Sequence, residues 1–296
     1  MGLALLHAVA ALAVGVQPAV ADLTPRQKAA LVVVSGLPAP PGVGGVLVQR
    51  WSRSKPRPPD ALVFVDQEGG VTRAFRELPP ARPAAAYTSE AQALVAGRAT
   101  GAALRLAHVD VDLAPVLDSP DGPLGARQFR RASIGVAFGR GLAAAGEGSC
   151  AKHFPGLGSA AVSTDDSPHV TAVLRPRELA GFRASIAAGV PCVMVDHAFY
   201  RSLGRRRASL EPATYRLLRS TGFQGVAITD SLSIVAHPLH DWPLTAARAG
   251  ADLLLFTDPK DARAAIENRL PLARRGELDT HVARVLRFRA RYAAAR

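Results

Sequence analysis

Residues 225–233 read GVAITDSLS: an apolar, β-branched run, then Asp230, then residues able to open a helix. The same design recurs upstream. ALVFV (61–65) runs into Asp66, GSCA (148–151) into Lys152 and His153, and VPCVMV (190–195) into Asp196 and His197. A parallel α/β barrel gathers the carboxyl ends of its strands on one face, so polar groups at such ends converge although they lie far apart in sequence. An isolated Asp or His has a bland explanation as a cap or a packed strand end. Four strands ending this way ask for a common one.

Working outward, the candidate strands are Leu31–Leu37, Gly45–Val48, Ala61–Asp66, Val109–Pro115, Ser149–His153, Cys192–His197, Val226–Asp230 and Asp252–Phe256. Between them lie helical patterns such as SEAQALVAGRATGAALRLA (89–107) and RPRELAGFRASIAAG (175–189), and a Thr24-Pro25 start precedes RQKAA. The strands are nearly continuous in hydrophobicity, as expected when both faces are covered. Eight such strands alternating with helices predict a single-domain (β/α)8 barrel of the TIM type. The length of 296 residues suits one, since these barrels use about 250 residues.

Composition narrows the function. The net charge of +12 is carried almost wholly by arginine, lysine standing only at positions 28, 55, 152 and 260. The basic stretches Arg205–Arg207 and RVLRFRARYAAAR (284–296) carry no recognisable nucleic-acid motif, so no nucleic-acid partner is expected. A solvated basic surface, or one that favours anionic polymers, fits better. Cys150 and Cys192 fall in apolar strands and read as buried thiols, with a disulfide between adjacent strands as the alternative. No spacing suggests a metal site, and no cofactor is expected. Residues 1–21 contain no Asp, Glu, Lys or Arg and end in Ala19-Val20-Ala21, a small-x-small pattern. They are expected to be a signal peptide, with the barrel over 22–296 and an exported, monomeric product; a misassigned start codon would make it cytoplasmic. The apolar run is broken by Gly15, Gln17 and Pro18, too short to span a membrane.

VFVDQEGG (63–70), CAKHFPG (150–156) and GVAITDSLS together resemble the catalytic domain of glycoside hydrolase family 3, and more specifically its single-domain bacterial β-N-acetylhexosaminidases. GVGGVLV (42–48), VDVDLAPVLD (109–118), LGARQF (124–129) and ASLEPATYRLLRSTGFQG (208–225) extend the resemblance in order along the chain. It implies a retaining, two-step release of β-linked N-acetylglucosamine from cell-wall-derived or related glycans. Asp230 matches the nucleophile. Asp66, Arg127, Lys152 and His153 match positions that hold sugar hydroxyls or the N-acetyl group, and His197 matches less closely. Retention requires a second group roughly 5 Å from the nucleophile that protonates the leaving oxygen and later activates water.

The departure lies there. The hexosaminidase branch carries an Asp-Ser-His triplet on the loop after KHFPGHG, whereas this chain reads KHFPGLGSAAVSTDDSPHV (152–170), with Leu157 for the usual His and Pro168 inside the triplet. Three readings stay open: Asp166 and His169 form the dyad in altered geometry, which is favoured; Asp165 or Asp166 acts alone; or the acid is lost. A β-glucosidase and a degenerate, noncatalytic sugar-binding paralogue are the alternatives, the latter because the chain looks trimmed at 118–127 and 234–246. Asp112 and Asp118 read as solvated or turn-forming, Glu68 as support for the turn backbone, and His237 and His240 as surface residues.

Overall fold

The computed structural model describes residues 19–235 and 241–293. Most of the expected signal peptide, with His237 and His240, lies outside the described residues. Among those described, no helix is long and apolar enough to cross a membrane.

Eight strands form one all-parallel sheet. In chain order the strands are β1 (Val33–Ser35), β2 (Gly45–Leu47), β3 (Leu62–Val65), a hairpin of β4 (Gln67–Gly69) and β5 (Thr72–Arg73), β6 (Val111–Asp112), β7 (Gly148–Phe154), β8 (Cys192–Val195), β9 (Val226–Thr229) and β10 (Leu254–Phe256). The hairpin stands apart; the other eight pair in the order β10-β1-β2-β3-β6-β7-β8-β9. An Ile228–Leu253 bridge closes the ring, supported by hydrogen bonds from the Thr229 amide to Leu253 and from the Asp252 and Leu253 amides to Ala227. The predicted (β/α)8 barrel is therefore the observed fold, and each predicted strand run overlaps one barrel strand. All barrel strands are buried along their length, because the ring of helices covers the outside and side chains fill the lumen.

The helices begin where the sequence marks them. The Thr24 hydroxyl accepts the Gln27 amide to cap α1 (Pro25–Leu31), and Ser89 caps α2 (Glu90–Leu106) through the Gln92 amide. Helix α3 (Ala132–Ala144) crosses α2 closely: a Cβ on Gly97 would lie 2.1 Å from the Phe138 carbonyl oxygen. A side chain there would push the helices apart. The remaining helices are α4 (Pro176–Ala187), α5 (Pro212–Ser220), the short α6 (Leu232–Val235), α7 (Trp242–Ala249), α8 (Pro259–Arg274) and α9 (Asp279–Tyr292).

One expectation is corrected. Cys150 on β7 and Cys192 on β8 are not separate thiols but a disulfide. The two residues are register partners on adjacent parallel strands, with Cα atoms 4.4 Å apart, so the pleat itself places their sulfurs within bonding reach.

Candidate active site

The carboxyl ends of the barrel strands enclose a cavity of about 320 Å³ lined by, among others, Asp66, Arg127, Lys152, His153, Asp165 and Asp230. All six are residues singled out from the sequence, Asp165 as one of the three readings of the acid.

Asp66 follows β3, and the chain then turns into the β4–β5 hairpin. Gln67 fixes that turn: its amide donates to Asp112 Oδ1 (3.0 Å), and its side chain bonds the carbonyls of Phe75 and Pro79 and the Phe75 amide. Gly69 sits at φ 113°, where a Cβ would meet the Arg82 carbonyl oxygen at 2.2 Å, so only glycine fits. The turn buries Glu68 behind the cavity. There its carboxylate takes a two-pronged bond from Arg127 (both 2.8 Å) and an ion pair from Lys152 (2.7 Å), while Lys152 Nζ also donates to Asp66 Oδ1 at 2.6 Å. Burial alone would raise Glu68, yet Lys152 and Arg127 hold it at about 2. Burial works against both cations too, but the acids around them keep them firmly protonated. Glu68 is thus more than a turn support: it anchors the two cations that face the cavity.

Asp118 corrects a second expectation. It is fully buried rather than solvated, and both its oxygens are engaged: Oδ2 accepts from His153 Nδ1 (2.7 Å) and the His153 amide (3.1 Å), and Oδ1 from the Leu157 amide (2.7 Å). With Nδ1 tied to a carboxylate, the His153 ring keeps Nε2 for a ligand. Asp112 is likewise buried, and burial pushes its carboxyl up to about 8. Neither residue was legible as part of the site, although the DLAPVLD run ends beside Lys152 through a Val116–Lys152 bridge. An acid closing an apolar run was the signal available.

Asp230 follows β9. Its amide donates to Val195 O, and its Oδ1 accepts the Ser231 amide at 2.7 Å. Burial would raise this carboxyl, but the fields of His153, His197, the Ser231 amide and Lys152 bring it below the ordinary aspartate value. His197 does not line the cavity. Its ring is buried between Ser209 Oγ (2.7 Å) and Ser231 O (3.1 Å), where burial lowers its pKa, and it buttresses the segment after Asp230.

The loop after Phe154 places its acids unequally. Asp165 faces the cavity, half exposed, 4.0 Å from Arg127, and burial together with the Asp230 charge raises its pKa. Asp166 and His169 are exposed and do not line the cavity. The His169 ring stacks on Phe199 at 5.3 Å, and the Pro168 carbonyl accepts from Arg207, whose guanidinium lies over Phe199 (4.8 Å) and Trp242 (5.2 Å). Arg207 is therefore a buried clip, not part of a solvated basic surface. Among the described residues no cluster of His, Cys, Asp and Glu is placed to hold a metal.

The glycosyl hydrolase family 3 N terminal domain matches residues 47–288. A beta-hexosaminidase of Stenotrophomonas maltophilia (strain R551-3) is 33% identical over 232 residues, 69% of this chain and 69% of that one. A solved glycosyl hydrolase of the same family from Mycobacterium smegmatis superposes with a TM-score of 0.80 at 28% identity, covering 91% of this chain and 98% of its own. A family 3 beta-N-acetylglucosaminidase from Paenibacillus sp. FPU-7 gives 0.77 at 26% identity; 91% of this chain covers 62% of that longer one.

Proposed function

The chain belongs to glycoside hydrolase family 3, and on that premise we propose that it releases β-linked N-acetylglucosamine from cell-wall-derived or related glycans, with retention of configuration, through a covalent intermediate on Asp230. The observation that carries this reading is the pairing, across one cavity, of Asp230, whose carboxyl is held below the ordinary aspartate value, with Asp165, whose carboxyl is pushed above it. Two carboxyls driven apart in pKa are the arrangement that a nucleophile and an acid require.

In the first step an Asp230 oxygen attacks C1 while Asp165 gives its proton to the leaving glycosidic oxygen, so the C1–O bond breaks as the ester forms. In the second, ionised Asp165 takes a proton from water, whose oxygen attacks C1 and frees Asp230. Asp66 and His153 Nε2 offer acceptors and Lys152 a donor for sugar hydroxyls, and Arg127 stands beside them. Asp165 takes the acid role here in place of Asp166 with His169, because only Asp165 faces the cavity. Export is part of the same proposal, since a disulfide between β7 and β8 suits an oxidising compartment.

The test is p-nitrophenol release from p-nitrophenyl N-acetyl-β-glucosaminide and from the glucoside. The N-acetyl substrate is expected to turn over faster, and Asp230→Asn to lose at least about 10³-fold in kcat. Equal rates in the two proteins would refute catalysis and leave a sugar-binding protein.

A further inference from the structure

On the face opposite the catalytic cavity, α9 crosses the amino ends of the barrel strands. Its Phe288 ring stacks on Phe64 of β3 (6.5 Å), Arg289 donates to the Gly44 carbonyl just before β2 (2.8 Å), and the Tyr292 carbonyl accepts from Arg105 (3.2 Å). One side of α9 borders a cavity of about 360 Å³, whose other wall is the chain entering β8 and β9, with Val190, Pro191 and Phe223. A neighbouring cavity of about 340 Å³ adjoins it across Gly189, Val190 and Pro191 and carries Arg140. The two make one groove. Arg284, Arg287 and Arg291 line its first part, on one helix face because their spacings are three and four. Among the described residues no acid lines either part. The nearby buried Asp252 is already shared by Arg219 (2.6 Å), His281 (2.9 Å) and Arg284 (3.0 Å), and Arg219 also takes the Phe223 and Gly225 carbonyls. Arg140 and Arg287 are exposed and form no ion pair among the described residues, while Arg291 lies over the Tyr292 ring (5.3 Å).

We propose that this groove binds an alditol-phosphate polymer, phosphodiesters joined by short polyols, and tethers the protein to an anionic matrix with its catalytic mouth facing away. Arginines without local acids attract a polyanion, and the guanidinium fork matches phosphate oxygens two at a time. Arginines stand in both parts of the groove, which suits an extended chain better than a single ion. The carbon stem of a short polyol is slight enough to lie along Val190 and Pro191 between them. A nucleic acid shares the phosphodiesters but needs aromatic faces for its bases, and Phe223, Phe288 and Tyr292 are buried. The inference stands apart from the hydrolase reading, since the groove shares no lining residue with the catalytic cavity.

The test is the fluorescence anisotropy of labelled poly(glycerol phosphate) titrated with the full chain near physiological ionic strength. Arg287→Gln with Arg291→Gln is expected to weaken binding roughly tenfold and to flatten its dependence on salt; Arg284 stays because it holds Asp252. The matched control, Arg201→Gln with Arg263→Gln, removes the same charge from exposed positions at the other end of the barrel and is expected to bind as the wild type does. An equal loss in both pairs overturns the groove, because net charge alone would then account for binding; so does an absence of binding by the wild type. Polygalacturonate and oligothymidylate of matched charge are expected to compete less well than unlabelled poly(glycerol phosphate), and equal competition by either overturns the choice of occupant. The polymer should leave hydrolysis of the p-nitrophenyl N-acetylglucosaminide unchanged, whereas competitive inhibition would place it at the catalytic mouth instead. A protein that binds the polymer but cleaves no glycoside refutes the hydrolase reading and supports the groove.

Discussion

Two residues carry functions that their types alone do not announce. Asp118 is a positioning residue: it orients His153 and cannot itself reach the cavity. Asp118→Asn should keep the fold but lose the charge-assisted bond to Nδ1, worth about 1.5–3 kcal/mol, so kcat/KM for the N-acetylglucosaminide is expected to drop roughly ten- to hundredfold. A drop in thermal stability with unchanged kinetics would make Asp118 merely structural. On the proposed mechanism, Asp165 and Asp230 set the pH profile. Activity needs Asp230 ionised, so the acid limb rises through a pKa below the ordinary aspartate value; it needs Asp165 protonated, so the alkaline limb falls through a pKa above it. Asp165→Asn is expected to abolish the alkaline limb in kcat/KM, whereas His169→Ala retains it. A profile altered only by His169→Ala would return the acid role to the Asp166–His169 pair.

At the scale of elements, the strands were readable and their continuations were not. A buried parallel strand is a run of apolar residues whatever its neighbours, so eight runs sufficed to predict the barrel. The roles of Glu68 and Asp118 depend on how the turns after β3 and β6 fold back upon β7, and nothing in DQEGG or VLD states which cation or ring will arrive there. The same limit applies to the loop of 157–175: the order Asp165, Asp166, Pro168, His169 is visible, but which member faces the cavity is settled by Phe199 and Arg207, some 30 to 40 residues on. The cysteine pair was half legible, since both strands were located but not their register. Its closure of a 42-residue separation should constrain the unfolded chain by about 4 kcal/mol. Cys150→Ala with Cys192→Ala is expected to lower the free energy of unfolding in urea by that order. An equal stability of the oxidised wild type and the double variant would argue against the bond.

The whole molecule carries acids that burial sets against its stability at neutral pH. Glu147, just before β7, is buried with neither carboxylate oxygen hydrogen-bonded, and burial together with the nearby Asp112 raises it to about 9. Asp112, with Oδ2 unbonded, stands at about 8. Both folded-state values lie above those of the unfolded chain. The native protein therefore holds protons that the unfolded chain has released, and stability falls as pH rises from about 4 toward those values. Glu68 and Asp230, lowered in the fold, act in the opposite sense and lose their contribution only as pH falls below about 4. The protein should accordingly be more stable at pH 5 than at pH 8. One raised carboxyl costs about 1.4 kcal/mol per pH unit across its window, so Glu147 alone accounts for a decline on the order of 4 kcal/mol between those two values. Glu147→Gln removes the titration while keeping the shape, and urea unfolding at pH 5 and pH 8 measures the effect. The variant is expected to gain stability at pH 8 and to show a flatter pH dependence; a decline as steep as that of the wild type would mean that Glu147 is ionised in the fold and finds a partner there.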